Sequence, residues 1–340
     1  METTSCALCG SSRSSVKVVQ RDVNLEAGRE EFSLVECADC GLIYLNPRPP
    51  MADIHRYYPE KYYPLEEPRE RRSVDRFFQR LSNRLKEGIR EEFYGYPQRE
   101  GPARSSVART WRRLLLYPEY LHLRFAGRDI LPFRGQGRIL DVGCGPGKLL
   151  RVLRDWGWDT YGVDFSPVAV DYARAKHQLK VELGTIHEGK YPADSFDIVM
   201  FNHSLEHVYN PIDSLREAHR VLKPGGALLI TIPNADSFEA HVFGKWWVHW
   251  DVPRHLYHFT RSTMSQVLFR TGFERVTIAT GTGAAFFLGS SDYVYKHVLG
   301  MNRKAGKFIK YVVARPLCLL MGHMGRGSEM KVLAEKPQAS

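Results

Sequence analysis

Residue type and spacing single out a few places where this chain can do chemistry. In Asp141-Val-Gly-Cys-Gly-Pro-Gly147 the glycines let the backbone approach a bound molecule closely, and Asp141 offers a carboxylate to a cationic group. About twenty residues on, Tyr161-Gly-Val-Asp164 ends in a second carboxylate, placed to accept a pair of ribose hydroxyls. These two features alone also suit a dinucleotide enzyme. Cys6/Cys9 and Cys37/Cys40 form two CxxC pairs. Four such thiols suit a closed, tetrahedral structural zinc site, and in a reducing compartment metal is favoured over disulfides. Cys144, inside the glycine turn, and Cys318, in an apolar stretch, read as packing residues.

Histidines supply the candidates for proton chemistry. Near neutral pH a histidine is the side chain best suited to act as general base, a role worth about 10²–10⁴-fold in rate. The candidates are His203, His207, His255 and His258, with Asp251 as an orienting partner. The run Trp246-Trp-Val-His-Trp-Asp-Val-Pro-Arg-His-Leu-Tyr-His258 concentrates Trp, His, Arg and Asp in one short segment. It reads as a substrate-binding element through Trp250, Asp251, Arg254, His255 and His258. The alternative is an aromatic lid that packs on the core.

These residues need a scaffold, and beyond Gly135 the chain alternates strand and helix, the pattern of a parallel sheet with crossover helices. Strands are expected at 138–142, 160–163, 180–183, 196–201, 227–232, 273–279 and 329–335, with helices at 148–156, 167–177 and 212–221. The glycine turn then lies at a strand's carboxyl end, where open α/β sheets bind ligands. Short strands at 16–20 and 32–36 flank the cysteine knuckles, and Gly41 follows the second knuckle where a tight turn needs positive φ. Residues 46–64 are rich in Pro and Tyr and read as a linker. Apolar spacing of three and four over 73–93 predicts an amphipathic helix.

The ordered motifs Asp141-Val-Gly-Cys-Gly-Pro-Gly147, Gly162-Val-Asp164, Phe196-Asp-Ile-Val-Met200 with Leu205-Glu-His-Val208, and Val221-Leu-Lys-Pro-Gly-Gly226 closely resemble those of class I S-adenosylmethionine-dependent methyltransferases, over about residues 135–280. The resemblance implies an α/β, Rossmann-like seven-stranded sheet, here with an N-terminal zinc ribbon and helical insertions. It also implies S-adenosylmethionine as cofactor, beside a structural zinc. In that family Asp141, Gly143, Cys144 and Gly145 would surround the methionine end, and Asp164 with Phe165 the ribose. Thr185 and Ile186 would meet the adenine, although many members carry an acidic residue where Thr185 stands. Asn202 and His203 would face the sulfonium, and His207 would chiefly fix the loop after the fourth strand. The ribbon, the Tyr/Pro linker and Asp251-Val-Pro-Arg-His255 together resemble bacterial methyltransferases of sugar, cell-envelope glycan and lipid-linked biosynthesis. That implies transfer to a hydroxyl of a sugar, glycan or lipid-linked small molecule.

The boundaries that follow are ribbon and linker 1–64, basic helical region 65–134, core 135–281, basic apolar insertion 282–327, and last strand and tail 328–340. The chain of 340 residues carries a net charge of +10, concentrated in 66–134 (16 basic against 10 acidic) and 284–327 (7 against 1). Both segments mix basic residues with bulky aliphatics. They read either as interfacial helices on anionic lipid or as helices that cover the sheet or join two copies. An RNA substrate and a catalytically silent scaffold are the competing functions. The knuckles lack the Lys and Arg of a phosphate-binding surface, so nucleic acid is disfavoured. Without a basic segment and apolar core at the N-terminus, the chain is expected in the cytoplasm, with the inner membrane face as a peripheral site.

Overall fold

A computed structural model describes residues 1–25, 30–59, 85–98, 105–125, 131–281, 283–301 and 309–338. The N-terminal hairpin pairs β1 (Ser14–Arg21) with β2 (Glu31–Cys37), and β2 with β3 (Ile43–Leu45), all antiparallel. Two helical segments follow, α1 (85–93) and α2 (Ser106–Phe125), held together by Ile89 against Leu116 and by Phe93 stacked on Tyr120 at 4.4 Å. The expected helix over 73–93 lies outside the described residues up to position 84.

The larger, C-terminal half runs β4 (Arg138–Val142), α3 (Lys148–Asp155), β5 (Asp159–Asp164), α4 (Pro167–His177), β6 (Lys180–Leu183), β7 (Phe196–Asn202), α5 (Pro211–Val221) and β8 (Leu222–Pro233). It continues through α6 (Phe238–Phe243), β9 (Tyr257–His258), α7 (Arg261–Arg270), β10 (Glu274–Thr280), α8 (Ala285–His297), α9 (Arg315–His323) and β11 (Glu329–Glu335). Strand order in the large sheet is β10-β11-β8-β7-β4-β5-β6, parallel from β8 to β6, with antiparallel β11 between β8 and β10. This seven-stranded α/β arrangement is the one the motifs imply. Strands β4 and β7 are apolar on both faces because helices cover both sides of the sheet. From β4 the chain winds outward one way to β5 and β6 and, later, the other way from β7 to β8. The switch point therefore opens between the carboxyl ends of β4 and β7, where a ligand crevice is expected.

The small N-terminal sheet reaches across the boundary drawn at residue 64. Tyr257–His258 pairs with Ile43 and Tyr44, so the small sheet is β1-β2-β3-β9 and its last strand comes from the larger half. Cys6, Phe32, Leu34 and Tyr44 share one buried cluster with Leu140, Phe201, Trp247 and Phe259. A ribbon this small cannot bury enough apolar surface by itself, and it completes its core on the larger unit. Helix α7 was not expected. Thr260 caps it, with reciprocal bonds between Thr260 and Thr263.

Candidate functional site

At the carboxyl end of β4 the glycine turn needs its glycines for two reasons. Gly143 sits at φ +79°, and a Cβ there would lie 2.4 Å from the Ser204 Cβ. Gly147, at φ +74°, starts α3. Gly145 donates its N–H to Asp164 Oδ2 at 2.7 Å, and Ser166 donates to Asp164 Oδ1 at 2.9 Å. Asp164 thus fixes the turn from the end of β5. Asp141 lies buried below the turn, and its Oδ1 has no hydrogen-bond partner among the described residues. Burial, reinforced by the Asp164 carboxylate, pushes its carboxyl up to about 7. A buried carboxylate short of a partner, beneath a turn with open backbone, fits a ligand that carries an ammonium.

The other expected cofactor residues line the same edge of the sheet. Phe165 is exposed and meets Tyr58 edge-on at 5.4 Å. Ile186 is buried, whereas the Thr185 N–H is taken by Glu188 Oε2 at 2.7 Å. A carboxylate therefore does stand at this loop, supplied three residues later than the family pattern puts it. Asn202 is exposed at the end of β7, and His203 follows half-buried at φ +53°. Cys144 packs against Leu150 and Gly162, as a small core side chain would.

Behind His203 the structure gathers a cluster of histidines and carboxylates. His203 Nε2 lies 3.2 Å from Glu329 Oε2, and its Nδ1 lies 3.7 Å from Glu206 Oε1. Burial works against a charged His203, but these two carboxylates outweigh it and hold the imidazolium up to about 10. His207 is pushed down to about 4 by burial, with the nearby His255 adding to it, and its Nδ1 lies 3.0 Å from the Arg254 carbonyl. His255 Nδ1 lies 2.8 Å from the His249 carbonyl, and His255 Nε2 is 4.0 Å from Glu206 Oε1 and 3.7 Å from Asp251 Oδ2. His203, His207 and His255 are thus brought together around Glu206.

The Trp246–His258 run, expected to bind substrate, is largely enclosed. Arg254 is fully buried. Its Nε donates to Asp251, one terminal nitrogen to Asp22 and the Tyr57 carbonyl, and the other to Asp22 and Asp251. All five guanidinium N–H groups are used, so none is left for a substrate. Trp250 is buried against Trp247 and His258, its indole N–H donating to the Gly244 carbonyl, and His258 is buried in β9. Asp251 is drawn into the Arg254 pair and accepts from Asn24 at 2.6 Å. The same residues form a buried joint between ribbon and core. Only His255 of that set stays with the histidine cluster.

In the ribbon, the Sγ atoms of Cys6, Cys9, Cys37 and Cys40 all lie within 4.8 Å of one another, with Cys6–Cys40 at 3.4 Å and Cys9–Cys37 at 3.5 Å. That spacing fits four thiolates around one metal. Sequence reasoning passed over Glu206, Glu329, Tyr58 and Asp22. Glu206 stood inside a quoted motif, whereas the others gain meaning only from contacts made across the fold.

A family model described as a methyltransferase domain matches residues 69–278. A probable S-adenosylmethionine-dependent methyltransferase of Mycolicibacterium smegmatis is 28% identical over 167 residues, covering 48% of this chain and 58% of that protein. A malonyl-[acyl-carrier protein] O-methyltransferase of Enterobacter lignolyticus is 34% identical over 111 residues, 32% of this chain and 43% of that protein. A ubiquinone biosynthesis O-methyltransferase of Cereibacter sphaeroides is 30% identical over 125 residues, 35% of this chain and 50% of that protein. The chain spans about half the length of the curated relatives it matches.

Proposed function

This chain belongs to the S-adenosylmethionine-dependent methyltransferase family, and we propose that it transfers a methyl group to a hydroxyl of a sugar, glycan or lipid-linked small molecule. The observation that carries the reading is the buried, unpartnered Asp141 Oδ1 beneath a positive-φ glycine turn. Asp141, Gly143 and Gly145 would hold the methionine end of the cofactor, Asp164 the ribose, and Ile186 the adenine, with Glu188 offering the carboxylate that Thr185 lacks. When bound, S-adenosylmethionine supplies a methyl group on a positively charged sulfur, open to in-line displacement.

The residues of the chain then have mainly to align and exclude water, and alignment of this kind can contribute about 7–11 kcal/mol to lowering a barrier. Asn202 and His203, at the carboxyl end of β7, would face the acceptor. His207 and His255 are enclosed behind His203 and act on it indirectly. The hydroxyl preference draws on the O-methyltransferases among the relatives, and the glycan or lipid-linked acceptor on the ribbon architecture. We read the ribbon thiols as a structural zinc site whose part is to hold β3 against β9.

No described helix is long and apolar enough to cross a membrane. The exposed Trp111, Leu114 and Leu115 on α2 beside Arg109 and Arg113 support peripheral contact with an anionic lipid surface. The test is transfer of labelled methyl from S-adenosylmethionine into whole-cell extract, then partition of the products. Label in organic or soluble glycan fractions is expected. Label confined to RNA, or no transfer together with no S-adenosylmethionine binding by calorimetry, overturns the reading.

A further inference from the structure

We propose that Glu206, His207 and His255 form a divalent-cation site distinct from the ribbon thiols. One ligand atom from each of these residues can be chosen so that all lie within 4.8 Å of one another. The tautomers are fixed from behind. The Arg254 carbonyl, 3.0 Å from His207 Nδ1, and the His249 carbonyl, 2.8 Å from His255 Nδ1, can only accept. Each Nδ1 therefore carries its proton, and each Nε2 presents a lone pair. An imidazole that donates one N–H to a backbone carbonyl while its other nitrogen is free is the arrangement found behind metal-bound histidines. The Tyr58 hydroxyl, also 3.0 Å from His207 Nδ1, adds a second restraint on that ring.

Glu206 provides the independent observation. It is 1% exposed, and neither carboxylate oxygen has a hydrogen-bond partner among the described residues. Its approaches to His203 at 3.7 Å and His255 at 4.0 Å are too long to count as hydrogen bonds. The His203 imidazolium at 3.7 Å offsets its charge, yet neither oxygen makes a hydrogen bond, and a bound cation would supply the direct contact that these buried oxygens lack. Two imidazole nitrogens and one carboxylate oxygen suit zinc, manganese or ferrous iron rather than calcium or magnesium, which prefer all-oxygen shells.

Because Glu206 also approaches His203, the site adjoins the residue proposed to face the acceptor. A cation there has coordination positions left for an acceptor oxygen, whose acidity it would raise. This role in methyl transfer rests on the function proposed above, whereas the existence of the site does not. The arrangement also gives the ribbon a purpose near the chemistry. Asp22 fixes Arg254, and the Arg254 carbonyl orients His207.

Manganese is the probe, since thiolate sites such as the ribbon favour softer metals. Titration of the full chain, its ribbon metal in place, should by electron paramagnetic resonance give about one bound Mn²⁺ per chain, competed by Zn²⁺. Glu206→Gln and His255→Asn, each checked for fold by near-ultraviolet circular dichroism, should weaken binding at least about tenfold. His207→Asn replaces either variant should it fail to fold. No Mn²⁺ or Zn²⁺ uptake beyond the ribbon metal, or uptake unchanged in the variants, overturns the proposal. S-adenosylmethionine binding is measured in parallel by calorimetry. Its absence with Mn²⁺ binding intact would overturn the methyl-transfer reading instead.

Discussion

Asp22 and Arg254, 232 residues apart, form a fully buried bidentate pair at 2.7 and 2.8 Å. One end stands in the loop after β1 and the other in the segment that carries His255. The pair is the main polar link between the ribbon and the wall of the candidate site. Removing Asp22 leaves Arg254 paired with Asp251 but strips two charge-assisted hydrogen bonds from a buried guanidinium, which costs about 1–3 kcal/mol. Asp22→Ala should lower the urea midpoint accordingly while the slope of the transition stays unchanged. Because Arg254 also pairs with Asp251, activity should fall at temperatures where the variant is still folded. A variant with wild-type stability would mean that Asp251 alone balances Arg254.

Metal removal should be felt beyond the ribbon. The cysteine knuckles hold β3, and β3 pairs through Ile43 and Tyr44 with Tyr257 and His258. If the four thiols hold zinc as proposed, a strong chelator should lower Tm by roughly 5 °C or more, since a loss of ~2 kcal/mol already shifts a domain of this order by several degrees. It should also change the near-ultraviolet signal of the buried Trp247 and Trp250. Retention of both properties after verified metal loss would make the thiols a packing cluster.

The extent to which the sequence reveals this structure follows from where the information lies. Strands β4, β6 and β11 and helix α4 match the expected bounds residue for residue, because runs such as Arg138-Ile-Leu-Asp-Val142 are flanked by glycine or capped by Ser166 and Pro167. The glycine turn and Asp164 likewise reveal themselves through local spacing. Strand β9 does not, since two residues carry no period and its partner β3 lies over 200 residues away. The burial of the segment Trp246–His258 is hidden in the sequence for the same reason. Trp, His, Arg and Asp serve equally to bind a substrate or to satisfy one another in a buried joint, and Asp22 and Asn24 decide which. Glu206 needed three dimensions too, because a carboxylate in a motif gives no hint that it will be buried without hydrogen bonds.

Cofactor binding should depend on pH through Asp141. Its carboxyl, normally near 3.8, is raised to about 7 in the free protein. The folded protein keeps this proton where the unfolded chain has released it. Its contribution to stability is thus full below about 3.8 and is lost as pH rises toward 7. An ammonium reverses the preference, since only the ionised carboxylate pairs with it. Affinity for S-adenosylmethionine, measured calorimetrically, should therefore weaken roughly tenfold from pH 8 to pH 6 as the carboxylate is protonated. Asp141→Asn should bind weakly at both values and lose the pH dependence. An unchanged profile in that variant would assign the pH response to another group.

Contact with lipid is the prediction that most directly bears on the acceptor. Helix α2 exposes Trp111, Leu114 and Leu115 next to Arg109 and Arg113, and α9 exposes Leu319 and Leu320. Apolar side chains kept in water this way gain by insertion at an interface, and each nearby basic residue adds about 1 kcal/mol on an anionic surface. The protein should float with vesicles that contain an anionic phospholipid, float less as salt is raised, and stay behind with neutral vesicles. Leu114→Glu with Leu115→Glu changes only exposed positions and should abolish flotation while Tm holds. If flotation survives that pair, the contact lies elsewhere, and if the unmodified protein never floats, these faces are free to serve as a protein contact and a water-soluble acceptor becomes the better expectation.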